Sequence, residues 1–321
     1  MVDTIKISFT NDQMDNILMI NTDKIRDTYQ VKGEDGKITT HGSVKNMKVS
    51  FNESRLTICG SICKYFFNGQ NQSTLNWEQL KQAIIQLGED LNVPIMYGRI
   101  TRIDVAENFI MSKPVRAYYD RMVTTNYYKR IEQPNGLYFM NGNRKITFYD
   151  KVREQKSKST PIIEDFKGQN VLRYELSLMK NLDTYFNEAN ITVRRLVMDE
   201  QFYDKLVQAW CKEFMSIQKC RDVIGFDDKA LFSVRAFKDQ LSMKGIESMG
   251  GHMKVMKIIE DGKKENRFKY PKQYYDIRSM LRKFNEQPDL TIKNDLIQEL
   301  EYMVEEALWD VIYAPHKVPS E

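Results

Sequence analysis

The hydrophobic period changes once along this chain, near Asn181, and that change limits the folds open to it. Before it, apolar residues recur at steps of two, the mark of strands with one buried face. After it they recur at steps of three and four, the mark of helices. Short runs rich in β-formers occupy Val2–Phe9, Ile38–Val44, Met47–Phe51, Leu56–Tyr65, Ile100–Ile110, Leu137–Met140, Lys145–Val152 and Val171–Leu178. Turn chemistry such as Gly33–Gly36 and Asn68–Asn71 separates them. Helical spacing intervenes at Leu80, Ile84, Leu87 and Leu91, and again near Val115–Met122. Two helices among so many strands predict an α+β domain over residues 1–180, a mostly antiparallel sheet with helices on one face. Residues 181–321 are expected to form a helical domain. Its stripes, such as Phe202, Leu206, Ala209, Trp210 and Phe214, have the spacing of core rather than of chemistry. Glu154–Gly168, which mixes charge with Ser157, Ser159 and Pro161, is expected to be loose.

Composition removes several classes of function. With 41% hydrophobic and 29% charged residues in 321, the chain has the material for a core and is not a disordered polymer. No apolar run approaches the roughly 18 residues that cross a bilayer, and Met1–Phe9 reads as a strand rather than a signal peptide, so the expected location is the cytoplasm. Four cysteines are too few for a disulfide framework; Cys59 and Cys63 are expected to be free thiols, since no second Cys/His pair accompanies them. The net charge of +4 announces no partner, but its distribution is uneven. Lys257–Lys283 holds nine Lys/Arg against four Asp/Glu, and Asp289–Glu321 holds two against eight. Asp227–Ser242, the glycine turn at Gly245, Gly250 and Gly251, and His252–Asp261 have the outline of a helix-turn-helix, an arrangement also common in helical domains that never touch DNA.

Chemistry concentrates on three strands. Period two puts Arg102 and Asp104 on one face of Ile100–Ile110, Lys145, Thr147, Tyr149 and Lys151 on one face of Lys145–Val152, and Arg173 and Glu175 on one face of Val171–Leu178. If the strands adjoin, that face gathers two carboxylates, a tyrosine and several cations. Asp104 and Glu175 are hard oxygen ligands suited to Mg²⁺ or Mn²⁺. A tyrosine, with a pKa near roughly 10, becomes a competent nucleophile when a cation such as Lys151 or a metal stabilises its phenolate. Spacing alone is also, and more commonly, that of a solvent face bearing cross-strand charge pairs. His41, His252 and His316 are scattered, and neither a GxxxxGK[ST] loop nor GxGxxG occurs, so nucleotide hydrolysis and dinucleotide cofactors have no support.

The stretches GRITRIDVAENF (Gly98–Phe109), RKITFYDKVRE (Arg144–Glu154) and NVLRYELSL (Asn170–Leu178) resemble, in this order, the phage and plasmid replication proteins of the gene-two (II/X) family, which are rolling-circle initiators. The shared pattern is an R-I-D strand, a tyrosine followed by lysine two residues on and glutamate later, and an R-Y-E strand. GSICKYFFNGQNQ (Gly60–Gln72) resembles an upstream segment of the same family. The likeness covers Thr57–Leu178. It implies a metal-dependent, site-specific single-strand DNA endonuclease and strand transferase. Tyr149 would become joined to the 5′-phosphate, and Asp104 and Glu175 would hold the metal. Arg102, Arg173 and Lys151 would contact phosphate or orient the carboxylates. Lys64 and Asn71 would contact DNA or complete the metal shell, and Lys145 would contact DNA. Where some relatives carry histidine this chain has Gln70, which implies a neutral oxygen as third ligand. Tyr118, Tyr119, Tyr127 and Tyr128 form two pairs suited to packing or to stacking on single-stranded DNA, and Tyr174 is expected to be buried. Origin DNA is the implied partner, with a host helicase or polymerase recruited to it. The rival from another class is a non-catalytic DNA-binding replication or copy-number regulator.

Overall fold

The structure, a computed structural model, describes residues 1–10, 20–34, 36–224, 232–287 and 290–313. The start of the Asp227–Ser242 segment (227–231), the end of the acidic tail and His316 lie outside them. Ten strands form one sheet: β1 (Val2–Phe9), β2 (Arg26–Lys32), β3 (Ile38–Val44), β4 (Met47–Asn52), β5 (Arg55–Ser61), β6 (Arg99–Met111), then, after a short β7 (Met122–Thr124) outside it, β8 (Lys129–Gln133), β9 (Gly136–Met140), β10 (Arg144–Asp150) and β11 (Asn170–Leu178). Their order is β2-β3-β4-β5-β1-β6-β11-β10-β9-β8, and every pairing is antiparallel. β1, the first strand in the chain, therefore joins two runs of hairpins at the middle of the sheet.

The alternation expected for β1, β6, β10 and β11 is present. Ile5, Ile103, Ile146, Phe148, Leu172, Tyr174 and Leu176 are fully or almost fully buried on one face. Helices close over it. The Trp77–Leu91 helix begins with a capping box between Asn76 and Gln79 and buries Leu80, Ile84, Leu87 and Leu91. The Glu200–Met215 helix, capped by Asp199, lays Trp210 against Tyr174 at 4.8 Å between ring centroids, and the Tyr174 hydroxyl donates to the Trp210 carbonyl at 2.7 Å. One core thus runs from β1 through Trp210 and Phe214 to Leu300 and Val304, across the change of period at Asn181. A second, smaller core joins Val123 and Cys220 to Met243, Met256, Tyr274 and Leu281. It unites the helices Val234–Ser248, His252–Lys264 and Pro271–Asn285, the first two meeting at Gly250 and Gly251, whose φ values of 97° and 86° suit residues without a Cβ.

Four local expectations need correction. β2 is absent from the sequence reading because all seven of its residues are exposed, so no buried face imposes a period on them. β5 ends at Ser61, whose side chain caps the short helix Ile62–Phe66 by accepting from the Lys64 N–H at 3.1 Å. β10 likewise ends at Asp150, which caps a helix Lys151–Ser157 through the Arg153 N–H at 2.8 Å, so Lys151 and Val152 leave the strand. That helix and the turn Glu164–Phe166 give ordered structure to much of Glu154–Gly168. All four cysteines are free. Among the described residues no helix is long and apolar enough to cross a membrane.

Candidate functional site

Cross-strand register assembles the polar face residue by residue. Arg173 lies between Asn108 on β6 and Tyr149 on β10, Glu175 between Ala106 and Thr147, and Ser177 between Asp104 and Lys145. Directly opposed residues point the same way, so Asp104, Glu175, Arg173, Tyr149 and Lys145 share one face. The structure adds an acid that the sequence reading missed. Asp3 falls in the apolar phase of β1, but the pairing of β1 with β6 slips between Val2 and Thr4, a bulge that re-aims it. Ser61 donates to Asp3 at 2.8 Å, and the Arg173 guanidinium stands 3.2 Å away. The available signal was an acid interrupting an otherwise regular alternation.

The two arginines of this face stand against its carboxylates. Arg102 clasps Asp104 with two bonds of 2.9 and 2.6 Å. Arg173 is completely buried; it donates to the Asn108 side chain and the Asn71 carbonyl at 3.1 and 3.3 Å and lies 3.9 Å from Glu175. Burial alone would raise the Asp3 carboxyl, but Arg173, aided by Ser61 and Asn71, outweighs it and holds the group below the usual carboxylate range. Burial pushes Asp104 up despite the Arg102 clasp. Burial and the nearby Asp104 charge push Glu175 to about 7.

Tyr149 sits at the rim of this set. Its phenol is raised above the ordinary range by burial, with Arg173 opposing and Glu175 and Glu154 adding to the rise. No hydrogen bond joins its hydroxyl to a described residue. Other tyrosines are engaged: Tyr118 with Glu299, Tyr128 and Tyr185 with Glu213. Tyr119 is buried and Tyr127 is 90% exposed. Gly136 lets β9 lie close against β10 beside Tyr149, since a Cβ there would lie 2.7 Å from the Phe148 carbonyl oxygen and 3.3 Å from the Tyr149 Cβ. Tyr138, directly opposite Thr147, is a second half-exposed phenol on this face, with Lys145 over its ring at 6.0 Å; the sequence reading did not weigh it.

Lys151, although it has left β10, still reaches the site. Its ammonium donates to the Asn71 and Glu154 side chains at 2.8 and 3.0 Å and lies 5.9 Å from the Tyr149 ring. Asn71 is buried beside it, Gln70 is exposed on the preceding turn, and Lys64 is half-buried on the Ile62–Phe66 helix. Burial, then the Arg173 charge, lowers Lys151 to about 8 against the opposing pull of Glu154. A free lysine titrates near about 10.4, so between those values the unfolded chain binds more protons and this group makes stability rise with pH. From about pH 7.5 to about pH 10 the parent should gain roughly 2–3 kcal/mol relative to Lys151→Met in urea unfolding. Parallel pH dependences would show that burial does not lower the Lys151 ammonium.

Asp104 and Glu175 fit a hard divalent cation by chemistry: both are carboxylates raised by burial, with the Asp3 charge adding to the rise of Asp104 and the Asp104 charge to that of Glu175. Among the described residues no set of three or more His, Cys, Asp or Glu side chains is arranged to hold an ion. Bound there, such a cation would polarise a phosphodiester as a Lewis acid.

Among curated proteins none matches the chain. The family model for the N-terminal region of a phage replication-associated protein, the gene-two product, matches residues 1–205, which span all ten sheet strands and every residue of the polar site. The chain therefore belongs to this family of replication-associated proteins, phage replication initiators whose partner is origin DNA.

Proposed function

We propose that the protein is a gene-two (II/X) type initiator of rolling-circle replication, which nicks one strand of an origin in the cytoplasm and remains joined to it through Tyr149. One observation carries this reading: a tyrosine hydroxyl without a hydrogen-bond partner among the described residues stands beside Arg173 and Lys151 on the face that gathers Asp104 and Glu175. The Tyr149 Oη–P bond forms as the bond from phosphorus to the 3′ oxygen breaks. The phenol proton passes to solvent, and the departing 3′ oxygen takes one up. Lys151 favours the phenolate by charge, while Arg102 and Arg173 fix the carboxylates that would hold Mg²⁺ or Mn²⁺. The phosphotyrosine conserves the bond energy, so rejoining needs no nucleotide. Lys145 and, from the upstream segment, Lys64 are assigned to DNA. The helices of residues 234–285, with the basic Lys257–Lys283 stretch, are assigned to origin DNA or a recruited host helicase or polymerase.

Mass spectrometry of the adduct with an origin oligonucleotide tests the assignment: the 5′-phosphate should be on Tyr149. Attachment to Tyr138 would move the nucleophile one strand over, and DNA binding without any adduct would favour the non-catalytic regulator. Asp104→Asn and Glu175→Gln should each raise the Mn²⁺ concentration needed for half-maximal cleavage by about 10- to 100-fold, the usual cost of disturbing a ligand shell. Superimposable metal titrations would reject both as ligands.

A further inference from the structure

The site occupies one part of a much wider polar face, and a row of cations runs across the other part. In register, strand by strand, lie Arg26 on β2, Ser43 on β3, Lys48 on β4, Cys59 on β5, Lys6 on β1 and Arg102 on β6. Cations thus alternate with small side chains over most of the row. Strands are about 4.8 Å apart, so the charges recur about every 9.6 Å and the row extends about 24 Å from β6 to β2. Arg102 is taken up by Asp104, but Arg26, Lys48 and Lys6 form no salt bridge with a described residue. One register step away, at the edge of the sheet, Tyr29 stacks on His41 with ring centroids 5.1 Å apart and planes 14° from parallel, although Tyr29 is 60% exposed. Such a pair gains little from packing on an outer strand with no buried face.

Resting on the nicking reading above, we propose that this row is a track for the single strand that leaves the nicking centre. Phosphates lie along Lys6, Lys48 and Arg26, and a base stacks on the Tyr29–His41 platform at the far edge. The occupant follows from the chemistry: evenly spaced unpaired cations suit a polyanion, and an exposed aromatic pair beside them suits unpaired bases, whose faces a duplex hides. The β2–β3 hairpin would then serve a purpose that its lack of burial does not explain, extending the sheet beyond its core as a binding arm.

Fluorescence anisotropy with oligothymidylates of about 4 and about 16 nucleotides, lengths within the range of single-strand sites, tests this in the full-length protein. The gain in affinity from the shorter to the longer probe should shrink roughly tenfold in Tyr29→Ala, consistent with loss of one stacked base, and return in Tyr29→Phe. Lys6→Gln combined with Lys48→Gln should lower the slope of log affinity against log salt by about 1.4, as two phosphate contacts to a single strand are lost. A length dependence and salt slope equal to the parent's in these variants would overturn the track. The nicking reading fails separately: if the Tyr149 adduct does not form while length dependence responds as described, the track stands and the nucleophile falls.

Discussion

Tyr149→Phe should lower the rate of origin nicking at least about 10⁴-fold and abolish the covalent adduct, the scale seen when a nucleophile is removed from an active site. The same substitution should leave folding almost untouched. The hydroxyl has no hydrogen-bond partner among the described residues, so its loss orphans no buried group, and unfolding free energy should stay within about 0.5 kcal/mol of the parent. Single-strand affinity should also persist, because phosphate contacts rather than the phenol supply it. The combination is diagnostic: a chemical defect without a structural or binding one. Gel assays on a supercoiled origin plasmid with Mg²⁺, run beside urea titrations, would show it. Nicking by Tyr149→Phe at the parent rate would remove this tyrosine from the mechanism and turn attention to Tyr138.

Arg173→Met should behave in the opposite way, destabilising the whole protein by about 3–5 kcal/mol. The guanidinium is fully buried, and its removal leaves Asp3 and Glu175 close together without counter-charge and the Asn108 oxygen without its donor. The effect should depend on acidity in a defined direction. In the parent, Arg173 holds Asp3 below the usual carboxylate range, so the pair's contribution is fully present above the unfolded value near about 3.9 and is lost as pH falls through the lower folded value. The gap between parent and variant should therefore narrow only in strong acid. Asp3→Asn should recover part of the loss in the Arg173→Met background, a coupling of about 1–3 kcal/mol in a double-mutant cycle. Independent, additive losses would mean that the two groups do not form a pair.

How far the site was legible can be followed through individual residues. Asp104, Glu175, Arg173 and Tyr149 were found from their phase on strands, because β6, β10 and β11 each bury one face and a period of two fixes which side chains lie opposite it. Lys151 was placed on the same strand by that period, whereas a cap by Asp150 turns the chain into a helix; it returns to Tyr149 by a different route. Asp3 and the exposed β2 could not be found this way. A bulge reverses phase locally, and an edge strand with two wet faces has no phase to reverse.

What the amino-acid sequence determined by itself was periodic: strand and helix territory, the chemical character of each strand face, and the family motifs on three of them. Those properties depend on neighbours a few residues away. Only the tertiary structure decided that the first strand lies at the centre of the sheet, that Asp3 meets Arg173 from the far end of the domain, and that cations from separate strands line up into a row. Strand order and register are set by which faces must be buried together, and that balance is struck over the whole core rather than within any segment.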